Sequence, residues 1–360
     1  MAIAFDSNYY RRVLQENGYE SLRDELQPID FSLGSMGPAE LSLNWLCHNG
    51  GSQFAENARI TRNRVKVITG IGLSGTPHLG TLSQMLKAIR LQRDTRLSVK
   101  FVLGDLDAYN GKSTSLKYAR KLADRVRGFM LDLGFDDTGS NEINGQYEEL
   151  EIIRTMYLAG LFMDDGDFNE AEEDLHSFYV NKGKVDNSMS FRRKLSLALM
   201  VAGWLYQLSD VGDKHLLIML GIDEHKYVKF GQKVLGKMQA VGEFTTQFEG
   251  SSIAAMYSTL IRGFNGYPKM SKSFPDSGIH LDMERDHIHR LVMHGEGDYE
   301  MPEENVVLQC ISSASMYSSE EIMERHKLCA AGGSAWQDAK CDYVNHLNAI
   351  IEKWRKHLHQ

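Results

Sequence analysis

A short strand followed by a glycine-rich loop and a helix is the sequence feature that most restricts how this chain can fold. Residues 65–69 are Val-Lys-Val-Ile-Thr, a β-branched run typical of a strand, and glycines at positions 70, 72, 75 and 80 then interrupt it. An amphipathic helix is predicted over residues 82–91, where apolar side chains recur at helical spacing. This order of elements is typical of α/β proteins.

Strands and helices continue to alternate along the chain. A second strand is predicted over residues 98–103, and it ends at the polar turn 104–107. Further elements are predicted in the order helix 115–133, helix 145–161, helix 191–208, strand 215–220 and helix 224–235. Alternation of this kind predicts a parallel sheet that carries polar residues at the carboxyl ends of its strands.

The first sixty residues differ in character from the rest of the chain. Charged helical patches are predicted at 9–16 and 21–26, and residues 32–51 are rich in Gly, Ser, Pro and Asn. We interpret residues 1–60 as an N-terminal appendage followed by a loop-rich linker.

Two further parts are expected after this appendage. Residues 61–285 are predicted to form the α/β domain, with an insertion around residues 115–190 that includes the acidic segment 164–186. Residues 286–360 are predicted to be all helical, with a break at Gly332 and Gly333.

The composition excludes several classes of protein. The chain has 360 residues, 42% of them hydrophobic, and no apolar run approaches the roughly 20 residues that span a bilayer. We therefore expect a globular, cytoplasmic protein without a membrane partner. Four scattered cysteines without a CxxC pair predict reduced thiols rather than a zinc site or a disulfide framework. The net charge of −8 argues against a surface that is basic throughout, although a local basic patch is compatible with it.

The glycine-rich loop is a candidate phosphate site. Gly70, Gly72, Gly75 and Gly80 allow a ligand to approach the backbone closely, and the loop leads into a helix N-terminus, which favours phosphate. The segment matches neither the P-loop pattern nor the GxGxxG spacing of dinucleotide sites. His78 precedes the last glycine and could donate a hydrogen bond to a phosphoryl oxygen, while a structural role for this imidazole is an equal alternative.

A second candidate phosphate site lies about two hundred residues further on, in the segment 268–273, Pro-Lys-Met-Ser-Lys-Ser. Lys269 and Lys272 could neutralise a departing pyrophosphate, and Ser271 and Ser273 could donate to its oxygens. Glycines 263 and 266 would let the loop close over a ligand. A solvent-exposed basic turn is the alternative for this segment taken alone; together with the glycine loop the segment indicates one ATP site.

Polar residues at two other places could reach the same cleft. Asp223 and Glu224 follow the predicted strand 215–220, where a carboxylate can bind ribose hydroxyls or a ligand amine, although capping of the next helix is the alternative. Gln207 and Asp210 are three residues apart and share a helix face, so both could point into a pocket. Structural hydrogen bonding is as good an explanation for that pair.

In combination, these motifs resemble those of the class I aminoacyl-tRNA synthetases, and within them the tryptophanyl/tyrosyl subgroup. Residues 78–81, His-Leu-Gly-Thr, resemble the HIGH signature of that family, and residues 269–273 reproduce its KMSKS signature in full. The segments 105–109, 207–210 and 221–224 resemble its DLHAY-like turn, QxxD helix and GxDQ turn, respectively.

Two segments resemble the archaeal and eukaryotic form of the tryptophanyl branch. Residues 69–74 are similar to its TGRGPS motif, and residues 273–281 are similar to the sequence that comes after KMSKS in that branch. The terminal helices, around residues 331–340, are similar to its helical anticodon-binding region.

The resemblance implies a fold, an activity and partners. The expected fold is α/β, a Rossmann-like (HUP-type) parallel sheet with a helical insertion and a C-terminal all-helical, anticodon-binding-like domain. The expected activity is ATP-dependent activation of an amino acid, tryptophan or a related one, to an aminoacyl-adenylate, followed by transfer to tRNA. ATP and Mg²⁺ are the implied cofactors, and the implied assembly is a homodimer with the insertion at its interface.

The resemblance also implies roles for individual residues. The expected catalytic residues are His78, Thr81, Lys269 and Lys272. The expected ATP-binding residues are Gly70, Gly72, Ser74, Gly75, His78, Gly80, Gly221, Asp223, Lys269, Met270, Ser271, Lys272 and Ser273. The expected amino-acid-binding residues are Asp105, Gln207, Asp210 and Glu224, and no protein side chain is expected to bind a metal ion.

Three positions depart from the pattern of the family. Thr81 replaces the second histidine of HIGH, and Leu73 replaces a proline. Glu224 replaces the glutamine of GxDQ, and a carboxylate accepts hydrogen bonds but cannot donate them. Glu224 and the acidic charge leave open a biosynthetic paralogue that ligates the activated amino acid to a non-tRNA acceptor. A catalytically silent relative is a further alternative, against which the intact lysine and histidine signatures argue.

Overall fold

The computed structural model describes residues 5–23, 31–184, 189–297, 299 and 301–358. Seven strands form one sheet within this part of the chain. They are β1 (Glu20–Ser21), β2 (Cys47–Asn49), β3 (Val65–Gly72), β4 (Val99–Gly104), β5 (Glu142–Gly145), β6 (His215–Gly221) and β7 (Ser252–Ser258). Their order in the sheet is β1-β2-β7-β6-β3-β4-β5. The five strands from β7 to β5 are parallel, and β1 and β2 add an antiparallel edge, so the predicted α/β fold is confirmed.

Helices account for most of the remaining described residues. The α-helices are α1 (Ser7–Asn17), α2 (Pro38–Asn44), α3 (Gly51–Ile60), α4 (Leu79–Thr95), α5 (Asp105–Lys112), α6 (Leu116–Leu133), α7 (Glu151–Ala159), α8 (Asp165–Glu170), α9 (His176–Asn181), α10 (Phe191–Tyr206), α11 (His225–Gln239), α12 (Gly242–Phe248), α13 (Arg285–His294), α14 (Val306–Ser313), α15 (Ser319–Ala331) and α16 (Gly333–Lys356). None of them combines the length and the apolar character that crossing a membrane would require.

The sheet lies between two hydrophobic layers. Along β3, Val67 belongs to the layer that contains α4, α6 and the C-terminal helices, whereas its neighbour Ile68 belongs to the layer that contains α10, α11 and α1. Successive side chains of a strand point to opposite faces, so a strand covered on both faces must be apolar almost throughout. This explains why the sequence of residues 65–69 marks a central strand.

The strand register brings three carboxyl ends to one edge of the sheet. Gly72 at the end of β3 is paired with Gly104 at the end of β4, and Ile68 is paired with Ile218 in β6. The loops that follow β3, β4 and β6 therefore start side by side, and they carry the glycine loop, the turn at 104–107 and the turn at 221–224.

Several predicted elements differ from the structure. The passage 32–51 is not loop-rich throughout, because it contains α2 and β2. Of the helix predicted at residues 21–26, Ser21 lies in strand β1. Residues 24–26 lie outside the described residues. The helix predicted at 145–161 is a 3₁₀ turn followed by α7. The strands β5 and β7 were not predicted. The division into three domains stays a prediction.

The helical C-terminus is confirmed in the described residues by α13 to α16. Its predicted break is confirmed as well, because Gly332 and Gly333 have φ angles of 65° and 71°, a left-handed conformation that favours glycine. These helices share a hydrophobic layer with α4 and α6, so they pack directly on the sheet domain.

Candidate active site

The carboxyl ends of β3, β4 and β6 border a cavity of about 250 Å³. Gly70 lies in its wall, where β4 leaves no room for a side chain: an added Cβ would be 2.4 Å from the Val102 carbonyl oxygen. At Gly72 and Gly75 the nearest atoms to an added Cβ are 3.5 Å and 4.0 Å away. The backbone of the glycine loop is therefore open to a ligand at Gly72 and Gly75, whereas Gly70 is required by strand packing.

His78 caps the N-terminus of α4. Its Nδ1 accepts hydrogen bonds from the backbone N–H groups of Gly80 (3.1 Å) and Thr81 (3.4 Å), so the proton of the neutral ring is on Nε2. Burial, reinforced by the positive charge of Lys272, lowers the pKa of His78 well below its usual value. The imidazole is therefore neutral and offers one N–H donor beside the glycine loop. Thr81, in contrast, is buried in α4.

Lys272 connects the two predicted phosphate sites. Its ammonium donates a hydrogen bond to the carbonyl oxygen of Gly72, 200 residues away in the sequence. Burial lowers the pKa of Lys272 to about 8, although the carboxylate of Asp107 acts in the opposite direction. The segment 268–273, which we call the lysine loop, thus closes against the glycine loop.

Lys269 of the same loop is engaged differently, in an ion pair with the buried carboxylate of Asp223. Burial alone would lower the pKa of the Lys269 ammonium, but Asp223 raises it well above its usual value, so the pair is ionised. A Cβ added to Gly221 would lie 2.6 Å from Asp223 Oδ1, so glycine leaves room for this carboxylate. The pair anchors the lysine loop to the end of β6.

The remaining residues of the lysine loop hold the loop itself together. Met270 is buried, and the backbone N–H of Ser271 donates to Ser277 Oγ at 2.8 Å. The hydroxyl of Ser271 accepts from the backbone N–H of Ser273 at 3.2 Å. These bonds use the Ser271 hydroxyl only as an acceptor, so its expected contact with ATP stays a prediction.

Aromatic residues outside the sequence motifs hold the lysine loop in place. The ring of Phe274 is stacked on Tyr179 (centroids 6.0 Å apart, 12° between planes) and lies 5.2 Å from the ring of Tyr267. The Tyr179 hydroxyl also donates to Ser271 Oγ at 3.2 Å. Tyr179 belongs to α9, so the acidic segment predicted as an insertion supplies a contact to the lysine loop. No sequence signal identifies this contact.

The four residues expected to bind the amino acid separate into two groups. Glu224 lines the cavity, and burial, with the negative charge of Asp223, raises its pKa to about 8. The other three lie outside the cavity lining. The Asp105 carboxylate accepts from the backbone N–H groups of Leu106 and Tyr147, and Asp210 is exposed and pairs with Arg154 at 3.2 Å.

Gln207 is buried and does not line the cavity. The α-helix α10 ends at Tyr206, and residues 207–211 form a π-helical turn, so the predicted helix face does not continue.

Other charged and polar residues line the cavity instead. They are Asp107, Glu149, Glu173, Lys100, Lys112, Arg193 and Ser196. Asp107 lies two residues after Asp105 in the turn 104–107. The position of this turn at the end of a strand is the sequence signal that could have identified Asp107 as a site residue. Glu173 lies in the loop between α8 and α9, whereas Arg193 and Ser196 lie three residues apart on α10, so no spacing in the sequence links Glu173 to the other two.

A second, more open cavity of about 800 Å³ lies beside the lysine loop. Gly75, Lys272 and His280 are among the residues that line it. Lys272 thus lines the second cavity and donates to the carbonyl of Gly72, a residue that lines the first.

The part of the chain that carries this site matches a known protein family. A family model described as tRNA synthetases class I (W and Y) matches residues 61–295, a segment that contains both phosphate signatures and the whole first cavity. No protein among curated sequences matches the chain.

Solved structures share the fold over nearly the whole chain. The tryptophanyl-tRNA synthetase of Aeropyrum pernix aligns with a TM-score of 0.73 at 18% identity, covering 98% of this chain and 95% of that one. The tryptophanyl-tRNA synthetase homolog of Entamoeba histolytica gives 0.73 at 12% identity, covering 97% and 92%. The tyrosyl-tRNA synthetase of Aeropyrum pernix gives 0.67 at 17% identity, covering 88% and 92%.

At these identities the structural likeness establishes the fold, and the family follows from the sequence match, which spans well over half of the chain. The chain belongs to the class I tRNA synthetases of the tryptophan and tyrosine (W and Y) family, and it is accordingly an aminoacyl-tRNA ligase.

Proposed function

We propose that this enzyme activates an amino acid with ATP to an aminoacyl-adenylate and transfers the acyl group to tRNA through the residues of this cavity. The observation that carries the proposal is the hydrogen bond from Lys272 to the Gly72 carbonyl. It joins the lysine loop to the glycine loop, which are separate in sequence, beside the helix that His78 caps. Class I synthetases use ATP, and this junction is where its triphosphate would lie.

The first step is attack of the amino-acid carboxylate on the α-phosphate of ATP, with pyrophosphate as the leaving group. Charge stabilisation and positioning are what such a reaction requires of a protein. The neutral His78 would donate its Nε2–H to a phosphate oxygen, and Lys272 would replace its bond to the Gly72 carbonyl by one to the pyrophosphate. The backbone at Gly72 and Gly75 would border the nucleotide, with Ser74 between them.

The Lys269–Asp223 pair is proposed to serve the nucleotide in another way. Asp223 lies at the end of a parallel strand, where a carboxylate is well placed for ribose hydroxyls. Lys269 keeps this carboxylate ionised and contributes positive charge to the same region.

Among the described residues, no cluster of His, Cys, Asp or Glu is arranged to hold a metal ion. Mg²⁺ is therefore proposed to enter with the phosphates of ATP, which supply its oxygen ligands.

The acceptor of the acyl group can be tested separately from activation. A net charge of −8 favours, as a second candidate, a ligase that passes the acyl group to a non-tRNA acceptor. The experiment is ATP–pyrophosphate exchange followed by charging of total tRNA with each radiolabelled amino acid. Exchange with charging supports the tRNA synthetase, exchange without charging supports the second candidate, and the absence of both contradicts activation.

The substrate implied by the family resemblance alone is tryptophan or a related amino acid.

The assembly implied by the same resemblance is a homodimer, and one surface of the structure supports that part of the proposal. Leu150, Tyr157, Leu161 and Phe191 are 74%, 85%, 83% and 74% exposed, and they lie along α7 and at the start of the adjacent α10. Exposed apolar patches of this kind are typical of protein interfaces. The cytoplasmic location expected from the sequence stays a prediction.

A further inference from the structure

Glu224 departs from the pattern of the family at a position that lines the 250 Å³ cavity. It occupies the place of the glutamine of GxDQ, whose amide both donates and accepts hydrogen bonds. An ionised glutamate can only accept, whereas a protonated glutamic acid carries an O–H donor beside its C=O acceptor. The protonation state of Glu224 therefore decides what this position offers to a ligand.

The backbone brings other acidic side chains to the turn that contains Glu224. Asp223 directly precedes it and is buried. The backbone N–H of Asp174 donates to the carbonyl oxygen of Asp223 at 3.3 Å, and this bond joins the acidic segment with Glu173 to the same turn. Glu173 and Asp107 line the cavity together with Glu224. Glu224 thus lies in a region that is crowded with carboxyl groups.

The cations of this region are paired with other carboxylates. The Lys269 ammonium forms its ion pair with Asp223. Arg193 reaches the cavity from α10, and its guanidinium pairs with Glu172 at 2.8 Å. The Glu224 carboxyl has no hydrogen-bond or ion-pair partner among the residues that the structure describes. It is therefore available to a ligand in the cavity.

The remaining titratable groups of the cavity wall offer Glu224 no partner either. The Lys100 ammonium pairs with Glu149, and Lys112 is exposed to solvent. Tyr227 lies one turn further along α11, where burial raises the pKa of its phenol well above the usual value. The phenol is therefore neutral at every pH considered below.

Burial in this acidic region favours the neutral form of Glu224. Removal from water raises its pKa most, and the charge of Asp223 raises it further. Lys269 acts in the opposite direction, whereas Glu173 and Asp107 add smaller increases, so the pKa of Glu224 is about 8. This carboxyl is therefore largely protonated at neutral pH, and it loses its proton as the pH rises through about 8.

An amino acid brings a carboxylate to this cavity, and the two forms of Glu224 treat that carboxylate differently. The ionised form would repel it, whereas the O–H of the neutral form can donate to it in a charge-assisted hydrogen bond. Resting on the activation reaction proposed above, we propose that Glu224 acts as a neutral hydrogen-bond donor that holds one oxygen of the amino-acid carboxylate. The other oxygen is left free to attack the α-phosphate of ATP.

The test is the affinity of the enzyme for the amino acid as a function of pH. The probe is the amino acid that supports the fastest ATP–pyrophosphate exchange, and its Kd is measured by equilibrium dialysis without ATP. The wild-type Kd should increase about tenfold between about pH 7 and about pH 9, because the donor is lost as Glu224 ionises. Glu224→Gln should bind within about threefold of the wild type at about pH 7 and keep that affinity at about pH 9, because an amide does not ionise.

A second variant identifies the acceptor. At about pH 7, Glu224→Ala should weaken binding of the amino acid at least about tenfold, the effect typical of losing a hydrogen bond to a charged group. Binding of the corresponding amino alcohol, which lacks the carboxylate, should change by less than about threefold. KM for ATP should be unchanged in both variants. Glu170→Gln is the matched control, since Glu170 is 76% exposed and does not line the cavity.

Infrared spectroscopy tests the protonation state without any substrate. The difference spectrum between the wild type and Glu224→Gln should contain the C=O band of a protonated carboxyl at about pH 7 and lose it at about pH 9. Because this readout needs no reaction, it is independent of the proposed function.

The outcomes separate this inference from the function on which it rests. The same loss of affinity above about pH 8 in the wild type and Glu224→Gln, or the absence of the protonated carboxyl band, would overturn the inference and leave the proposed function standing. An equal effect of Glu224→Ala on the amino acid and the amino alcohol would overturn the carboxylate as the acceptor. No exchange with any amino acid would overturn the proposed function and the role of Glu224 in it.

Discussion

At the scale of single residues, the two lysines of the lysine loop have different surroundings. Lys269 is paired with the buried carboxylate of Asp223. The Lys272 ammonium instead binds the backbone carbonyl of Gly72. The Lys272 bond to a neutral carbonyl is exchanged for a phosphate oxygen more readily than the Lys269 bond to a carboxylate, because the latter adds the attraction between opposite charges. Lys272 is therefore the cation available to the triphosphate.

Replacement of this cation should affect chemistry and spare the fold. Lys272→Ala is expected to lower ATP–pyrophosphate exchange by about 100-fold or more, the effect typical of removing a donor that stabilises transition-state charge. Lys327→Ala is the control, because Lys327 is 77% exposed on α15. Circular dichroism and thermal unfolding should be the same for both variants. Exchange near the wild-type rate in Lys272→Ala would contradict the assignment.

The depressed pKa of Lys272 also predicts a pH dependence. Its folded-state pKa is about 8, so the ammonium is charged below pH 8 and loses its proton as the pH rises through that value. His78 stays neutral over the same range, because its pKa lies well below the usual value. The kcat/KM for ATP, which reports groups of the free enzyme, should therefore fall above about pH 8.

The variant Lys272→Arg isolates this ionisation, because a guanidinium stays protonated at every pH of the assay. The kcat/KM of Lys272→Arg for ATP should be lower than that of the wild type. It should stay constant above about pH 8, where the wild-type value falls. The measurement is a profile from about pH 6 to about pH 9.5 at saturating amino acid. An identical decline in both proteins would assign the titration to another group.

At the scale of elements, the lysine loop depends on a contact from the acidic segment. Phe274 is held between the rings of Tyr179 and Tyr267, and aromatic pairs contribute about 0.5–1.5 kcal/mol each. Phe274→Ala should therefore favour the open loop and raise KM for ATP roughly tenfold, with a smaller effect on KM for the amino acid. The control is Tyr118→Ala, an exposed aromatic residue on α6. Equal effects on both KM values would indicate a general loss of structure.

The elements near the site differ in how far the sequence could predict them. The strand 65–69 and helix 82–91 were predictable, because β-branched and amphipathic periodicities are local properties of the chain. Strand β7 was not predictable in this way, since residues 252–258 acquire their strand partners β6 and β2 only in the folded sheet. Tyr179 and Phe274 likewise meet only in the fold, 95 positions apart by number, so no spacing rule could join them.

The lining of the 250 Å³ cavity was even less predictable from the sequence than these elements. The glycine loop and lysine loop carry short motifs, and the structure brings them together as expected. Glu173 reaches the cavity from the loop between α8 and α9, and Arg193 and Ser196 reach it from α10, so their meeting is set by tertiary packing. The expectation that Gln207 and Asp210 share one helix face assumed α-helical spacing, whereas residues 207–211 form a π-helical turn. Local periodicity is valid only while the helix geometry persists.

At the scale of the whole molecule, the surface along α7 predicts the assembly. Leu150, Tyr157 and Leu161 are spaced by seven and four residues, so they occupy one face of the helix and its following turn. Phe191 at the start of α10 extends this face, because α10 packs against α7. In a monomer these four large side chains would remain in water, and burying them against a second copy is favourable by about 25 cal/mol per Å² of apolar surface.

The mass in solution tests this surface. The wild-type protein should be a dimer by light scattering at micromolar concentration, and Tyr157→Asp should be a monomer, because the interface would have to bury an unpaired charge. The fold of the subunit should survive, since Tyr157 is 85% exposed. Tyr118→Asp, with the same change on a different exposed tyrosine, should remain a dimer. A wild-type monomer would contradict the homodimer, and a Tyr157→Asp dimer of unchanged stability to dilution would place the dimer contact on another surface. Either result would leave the apolar face of α7 for another partner.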